Sequence, residues 1–109
     1  MIIAQAVIDL RDALAICGYD LAEIMGNRTR RREYTDMRAI VWTIFCDQTK
    51  ANISQAGRAF GWDRGTIYHS IVKARNLIHR DRFFADEYDS ILGAYVDLVA
   101  RRESETKSQ

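Results

Sequence analysis

Four arginines in five positions, Arg28, Arg30, Arg31 and Arg32, form the densest group of chemically capable side chains in the 109-residue chain. A guanidinium is always charged and presents a rigid fork of donors suited to phosphate and to base edges. The group therefore reads either as a polyanion contact or as a solvated charge run. A second group, Asp63-Arg64-Gly65-Thr66, combines an acceptor, a bidentate donor and a hydroxyl around a residue without a side chain. Enzymatic groupings are weaker. His69 and His79 stand ten residues apart with no third metal ligand, Asp86-Glu87-Tyr88-Asp89 lacks the glycine and spacing of a calcium loop, and no serine or cysteine occupies a nucleophile motif. The chain is read as a non-enzyme that requires no cofactor and no metal.

Cys17 and Cys46, 29 positions apart, offer no zinc spacing and no disulfide framework, and are expected as buried core thiols in a reducing compartment. With 48% hydrophobic and 28% charged residues, six glycines and no proline, the composition favours one all-α domain. The apolar start at Met1-Ile2-Ile3-Ala4 is broken by Asp9, Arg11 and Asp12 and lacks a basic leader, and no uncharged run reaches the roughly 20 residues of a membrane span. A cytoplasmic location follows as the expectation.

The net charge of +1 conceals a division. Residues 1–27 hold one basic and four acidic side chains, residues 28–82 twelve and five, and residues 83–109 three and six. A centre of +7 between flanks of −3 is the electrostatic footprint expected for a polyanion partner.

About six helices are predicted to position these groups. Ile3, Val7, Leu10 and Leu14 mark an amphipathic helix over about 2–17. Gly18 stops it, and Asp20-Leu-Ala-Glu23 resembles a capping box opening a short helix to Gly26-Asn27. Residues 27–35 then form a basic loop, and Asp36 caps a third helix to Thr49 with Met37, Ile40, Val41, Ile44 and Phe45 on one face and Trp42 beside them. Asn52-Ile-Ser-Gln55 opens a fourth helix closed by Gly61, and Asp63 caps a fifth with Ile67, Ile71, Ala74 and Ile78 inward. The last helix spans 83–101, with Phe84, Tyr88, Ile91, Leu92, Tyr95, Leu98 and Val99, before a polar, frayed tail over 103–109. Residues 1–102 are thus one domain.

The fourth and fifth helices with their tight turn form a helix-turn-helix pattern. Gly57 stands where two helices approach closely, Gly61 where the turn needs permissive angles, and Ile67 where a core anchor belongs. The alternative is an ordinary helical hairpin.

Three blocks carry a more specific likeness: Arg28 to Arg32, the Arg38-Ala-Ile-Val-Trp-Thr-Ile-Phe45 helix, and Asn52 to Gly61 continuing into Asp63-Arg-Gly-Thr-Ile-Tyr-His-Ser70. In these the chain resembles the C-terminal DNA-binding domain of the bacterial replication initiator DnaA, with a core over about 19–80, one residue fewer in the turn and no phosphate-binding loop of an ATPase. The resemblance implies an all-α fold of the DnaA C-terminal or Trp-repressor-like type. It also implies sequence-specific binding of double-stranded DNA in replication initiation control or transcription regulation. Arg30 then enters the minor groove, Arg28, Arg31 and Arg32 hold phosphates, Arg38 contacts DNA, Asp63, Arg64, Gly65 and Thr66 read the major groove, and Lys50, Ser54 and Lys73 are further DNA-binding residues of a nucleoid-associated protein. Where the family has Asp-His and two hydroxyl residues this chain has Asp63-Arg64-Gly65-Thr66, so a changed target site is expected. Ala39 and Cys46 replace family phosphate contacts. His69 is expected to pack or cap rather than read bases, and Asp63 either reads a base or only caps its helix. The other reading is a protein-interaction module whose acidic end helices engage a regulatory partner or form a weak homodimer.

Overall fold

Six helices connected by short turns account for the described residues, 3–107, of the structure, a computed structural model. They are α1 (Ile3–Ile16), α2 (Leu21–Gly26), α3 (Arg32–Thr49), α4 (Ile53–Phe60), α5 (Arg64–Arg80) and α6 (Arg82–Lys107). The all-α expectation holds. Met1 and Ile2, the first of which precedes and the second of which opens the predicted first helix, lie outside the described residues, as do Ser108 and Gln109 of the predicted tail.

The central helix is α3, which packs against each of the other five. Every residue from Met37 to Phe45 is buried, where the sequence pattern indicates only one apolar face. A helix enclosed on all sides must satisfy its polar groups internally. Thr43 does so by donating its hydroxyl to the Ala39 carbonyl at 2.7 Å, whereas the buried Trp42 indole N–H has no hydrogen-bond partner among the described residues. Phe45 meets Phe60 of α4 edge-on at 5.0 Å, and Ile67, Ile71 and Ala74 of α5 close the other side of the core.

The start of α3 differs from the sequence expectation. The helix begins at Arg32, Arg31 occupies the cap position without a side-chain hydrogen bond, and the loop therefore covers only 27–31. Asp36 lies inside the helix because its carboxylate is engaged by Lys73 of α5 at 2.9 Å and by Arg32 at 3.5 Å. The Asp20 signal is half realised. Its side chain accepts from the Ala22 amide at 2.9 Å, while Glu23 accepts from the Tyr34 hydroxyl at 2.8 Å instead of closing a capping box.

At the other end α6 continues to Lys107, six residues beyond the predicted boundary at 101, and replaces most of the expected frayed tail. It lies along α1, with Phe84, Tyr88, Ile91 and Tyr95 buried. Arg102 reaches Asp9, which is only 5% exposed and also accepts from Gln5. Both donors meet Oδ1, while the buried Oδ2 has no hydrogen-bond partner among the described residues; the ion pair ties the last helix to the first.

Candidate nucleic-acid interface

The turn between α4 and α5 is built by its sequence. Asn52 and Gln55 exchange hydrogen bonds in a true capping box, at 2.9 and 2.8 Å, which fixes the start of α4. Gly61 ends the helix in the left-handed region at φ 69°, where a side chain would be strained. Asp63 then opens α5 by accepting from the Thr66 amide at 3.1 Å. A Cβ on Gly57 would lie 2.9 Å from the Trp62 carbonyl oxygen, so the close approach is between α4 and its own turn rather than between two helix barrels. Ile67 is fully buried as the anchor below.

Trp62 joins this turn to the basic loop. Its indole N–H donates to the Met25 carbonyl at 3.0 Å, and its ring meets Trp42 edge-on at 5.4 Å. The Arg28 guanidinium lies 4.0 Å from the ring centre and donates to the Gly61 carbonyl at 3.0 Å. Arg38 lies 4.7 Å from the same ring. Cation–π attraction of this kind strengthens as the cation is desolvated. The sequence pattern does not single out Trp62; an aromatic placed between a helix-ending glycine and a helix-capping aspartate is the one signal it leaves.

Arg38 is 5% exposed and spends its donors inside the protein, on the carbonyls of Asn27 and Thr29, both at 2.8 Å, and of Ile24 at 3.5 Å. Burial, and then the nearby Arg28 charge, lowers its pKa from the ordinary arginine value. From this position it fixes the loop backbone and presents no free guanidinium to solvent.

The remaining sequence-selected cations separate by partner. Arg31 pairs with Glu33 at 2.9 Å, Arg32 with Asp36 and Asp81, and Lys73 with Asp36 while donating to Thr35 at 3.3 Å. Arg30 is exposed, and among the described residues it alone of Arg28, Arg30, Arg31 and Arg32 makes no intramolecular hydrogen bond, ion pair or ring contact. Lys50 is exposed at the end of α3 with φ 62°. Arg64 is exposed at the start of α5, where it borders a cavity of about 500 Å³ shared with Ser54 and Asn52. Gly65 and Thr66 are exposed beside it, and a Cβ on Gly65 would lie 3.0 Å from the Asp63 carboxylate. The whole of α5 contains no acidic residue. His69 is exposed, neither packed in the core nor capping, and rests edge-on against Tyr68 at 5.4 Å.

The thiols depart from expectation in degree. Both cysteines are half-buried rather than enclosed; Cys17 donates to the Ser90 carbonyl at 3.7 Å, and burial followed by the Asp47 charge pushes the Cys46 thiol up. Among the described residues no cluster of three or more His, Cys, Asp or Glu could hold a metal ion, and no helix is long and apolar enough to cross a membrane.

The fold is therefore an all-helical one with a short helix, a three-residue turn and a longer helix at its exposed basic edge. The chain matches no protein-family model, no curated protein and no solved structure.

Proposed function

We propose that the chain binds double-stranded DNA with sequence preference, presenting the start of α5 to the major groove and the loop over residues 27–31 to the adjacent minor groove. The observation that carries this reading is the clasp of Arg28 on Trp62 and Gly61, which holds the basic loop against the helix-turn-helix turn and leaves Arg30 and Arg64 exposed. Two cation-bearing elements are thereby fixed relative to each other before any ligand arrives, which reduces the ordering cost of binding.

Arg30 suits the negative potential of a narrow A·T-rich groove, and Arg64 suits guanine O6 and N7. Asp63 serves as the helix cap, with one carboxylate oxygen committed to the Thr66 amide. In this reading the chain works as a DnaA-like DNA-reading domain in replication initiation control or transcription regulation. Its salt dependence tests the proposal. A mobility shift with duplex DNA at a series of salt concentrations should give a log-log slope of about −4 to −5, corresponding to roughly four to six neutralised phosphates. A slope near zero rejects it.

A further inference from the structure

On the side of α3 formed by its first turns, two cavities of about 530 and 450 Å³ share Tyr19, Glu33 and Met37 and so form one continuous groove. Its floor is apolar, made by Tyr19, Met37, Ile40 and Phe84. Phe83, in the first turn of α6, stands at its edge 89% exposed, the most exposed large hydrophobic side chain among the described residues. An isolated exposed apolar residue is ordinary, but an aromatic beside an aromatic- and methionine-lined groove has the composition of a binding anchor.

The charge around the groove is net negative. Asp20, Glu23, Glu33, Asp36, Asp81 and Glu87 border it with Arg32, while Arg31 reaches Glu33 at 2.9 Å and Lys73 reaches Asp36 at 2.9 Å from outside the lining. Arg32 is already held between Asp36 and Asp81, at 3.5 and 3.1 Å. Glu87 is half-buried and has no hydrogen-bond or ion-pair partner among the described residues. The rim disfavours an anionic ligand, and a purely apolar one would leave Asp20, Glu23 and Glu87, the rim carboxylates with no ion pair among the described residues, without counter-charges.

We infer that this groove docks a basic amphipathic helix of a partner protein, with apolar side chains on the Tyr19–Met37–Phe84 floor and against Phe83, and lysines or arginines facing the acidic rim. Helix-in-groove recognition of this type needs anchors at i, i+3 or i+4, and i+7 on one face and matching charge beside them. The groove shares no residue with the cavity beside Arg64, so the inference does not rest on DNA binding.

The test uses the whole chain and three fluorescein-labelled 18-residue peptides. The first is a Leu/Lys helix with leucines on one face, the second has glutamate for lysine, and the third has the Leu/Lys composition scrambled so that no apolar face forms. Fluorescence anisotropy should saturate with the first peptide only. Phe83→Ala should weaken that binding about tenfold or more, as truncation of an anchor does, and Glu87→Lys several-fold. Val96→Ser, at another exposed position of α6, should leave it unchanged, and thermal melts of all variants should match the wild type. Failure of the Leu/Lys helix to saturate, equal binding of the glutamate or scrambled peptide, or equal affinity of Phe83→Ala overturns the inference. Concentration-dependent dimerisation in sedimentation that Phe83→Ala abolishes also overturns it, because the groove then belongs to a second copy. Duplex DNA binding by Phe83→Ala should equal that of the wild type, which separates failure here from failure of the DNA reading.

Discussion

Arg28 lies face-on to Trp62, 4.0 Å from its ring centre, although 34 positions separate the two in sequence. The contact converts a loop with no secondary structure of its own into a fixed neighbour of the helix-turn-helix turn. Removing the ring in Trp62→Ala also removes the hydrogen bond to Met25 and the platform for Arg38. A loss of about 3 kcal/mol in denaturant unfolding is expected, with faster amide exchange over residues 27–31. Unfolding at the wild-type midpoint, with unchanged exchange, would show that the loop is held without the ring.

Arg30 and Arg28 should respond differently to alanine substitution. Arg30 makes no hydrogen bond, ion pair or ring contact among the described residues, so its loss should weaken duplex binding and leave the melting temperature unchanged. Arg28→Ala should lower stability by about 1 kcal/mol through the lost cation–π contact and weaken DNA binding less than Arg30→Ala does. Equal losses of DNA affinity in the two variants would contradict a groove position for Arg30.

Arg64→Ala should broaden the sites selected from random duplexes. A bidentate contact to guanine discriminates by about 1–3 kcal/mol, whereas a phosphate contact weakens all sequences alike. Selection of the same sites at uniformly lower affinity would make Arg64 a backbone contact.

Gly57→Ala should destabilise the turn, because the new methyl would meet the Trp62 carbonyl, a backbone atom, at 2.9 Å. Relief requires movement of the turn itself. A cost of about 1–3 kcal/mol is expected for overpacking at such a site, together with altered Trp62 fluorescence. A wild-type melt would indicate that α4 shifts freely.

Stability should fall on the alkaline side. Burial raises the pKa values of Cys46, Tyr88 and Tyr95, so the folded chain holds these protons more tightly than the unfolded chain. Their contribution is fully present below the ordinary thiol and phenol values and is lost as pH rises above roughly 9 to 10. Denaturant midpoints that are flat from pH 8 to 11 would contradict this.

What could be read from the sequence was local. The Asn52–Gln55 box, the glycine stop at Gly61 and the Asp63 cap each join residues at most four positions apart, and the periodic stripes of α3 and α5 follow from one helix at a time. What could not be read depends on distant partners. Asp36 resembles a cap until Lys73, 37 positions later, is placed beside it. Arg38 resembles a DNA contact until the carbonyls of Ile24, Asn27 and Thr29 enclose it, and Trp62 has no visible role until Met25, Arg28 and Arg38 converge on it. The end of α6 was obscured by its polar sequence, because charged side chains can continue a helix when one of them, here Arg102, has a partner on α1.

The pairing of Asp9 with Arg102 also has a consequence in time. The two residues are separated by 93 positions, so α1 leaves the ribosome long before its counter-charge exists. During synthesis Asp9 cannot be buried as an ion pair, and the apolar side of α1 has no α6 to cover it. Although α1 can dock earlier on α2, α3 and α4, its side toward α6 is among the last surfaces to be covered, and it stays open until nearly all of α6 has emerged.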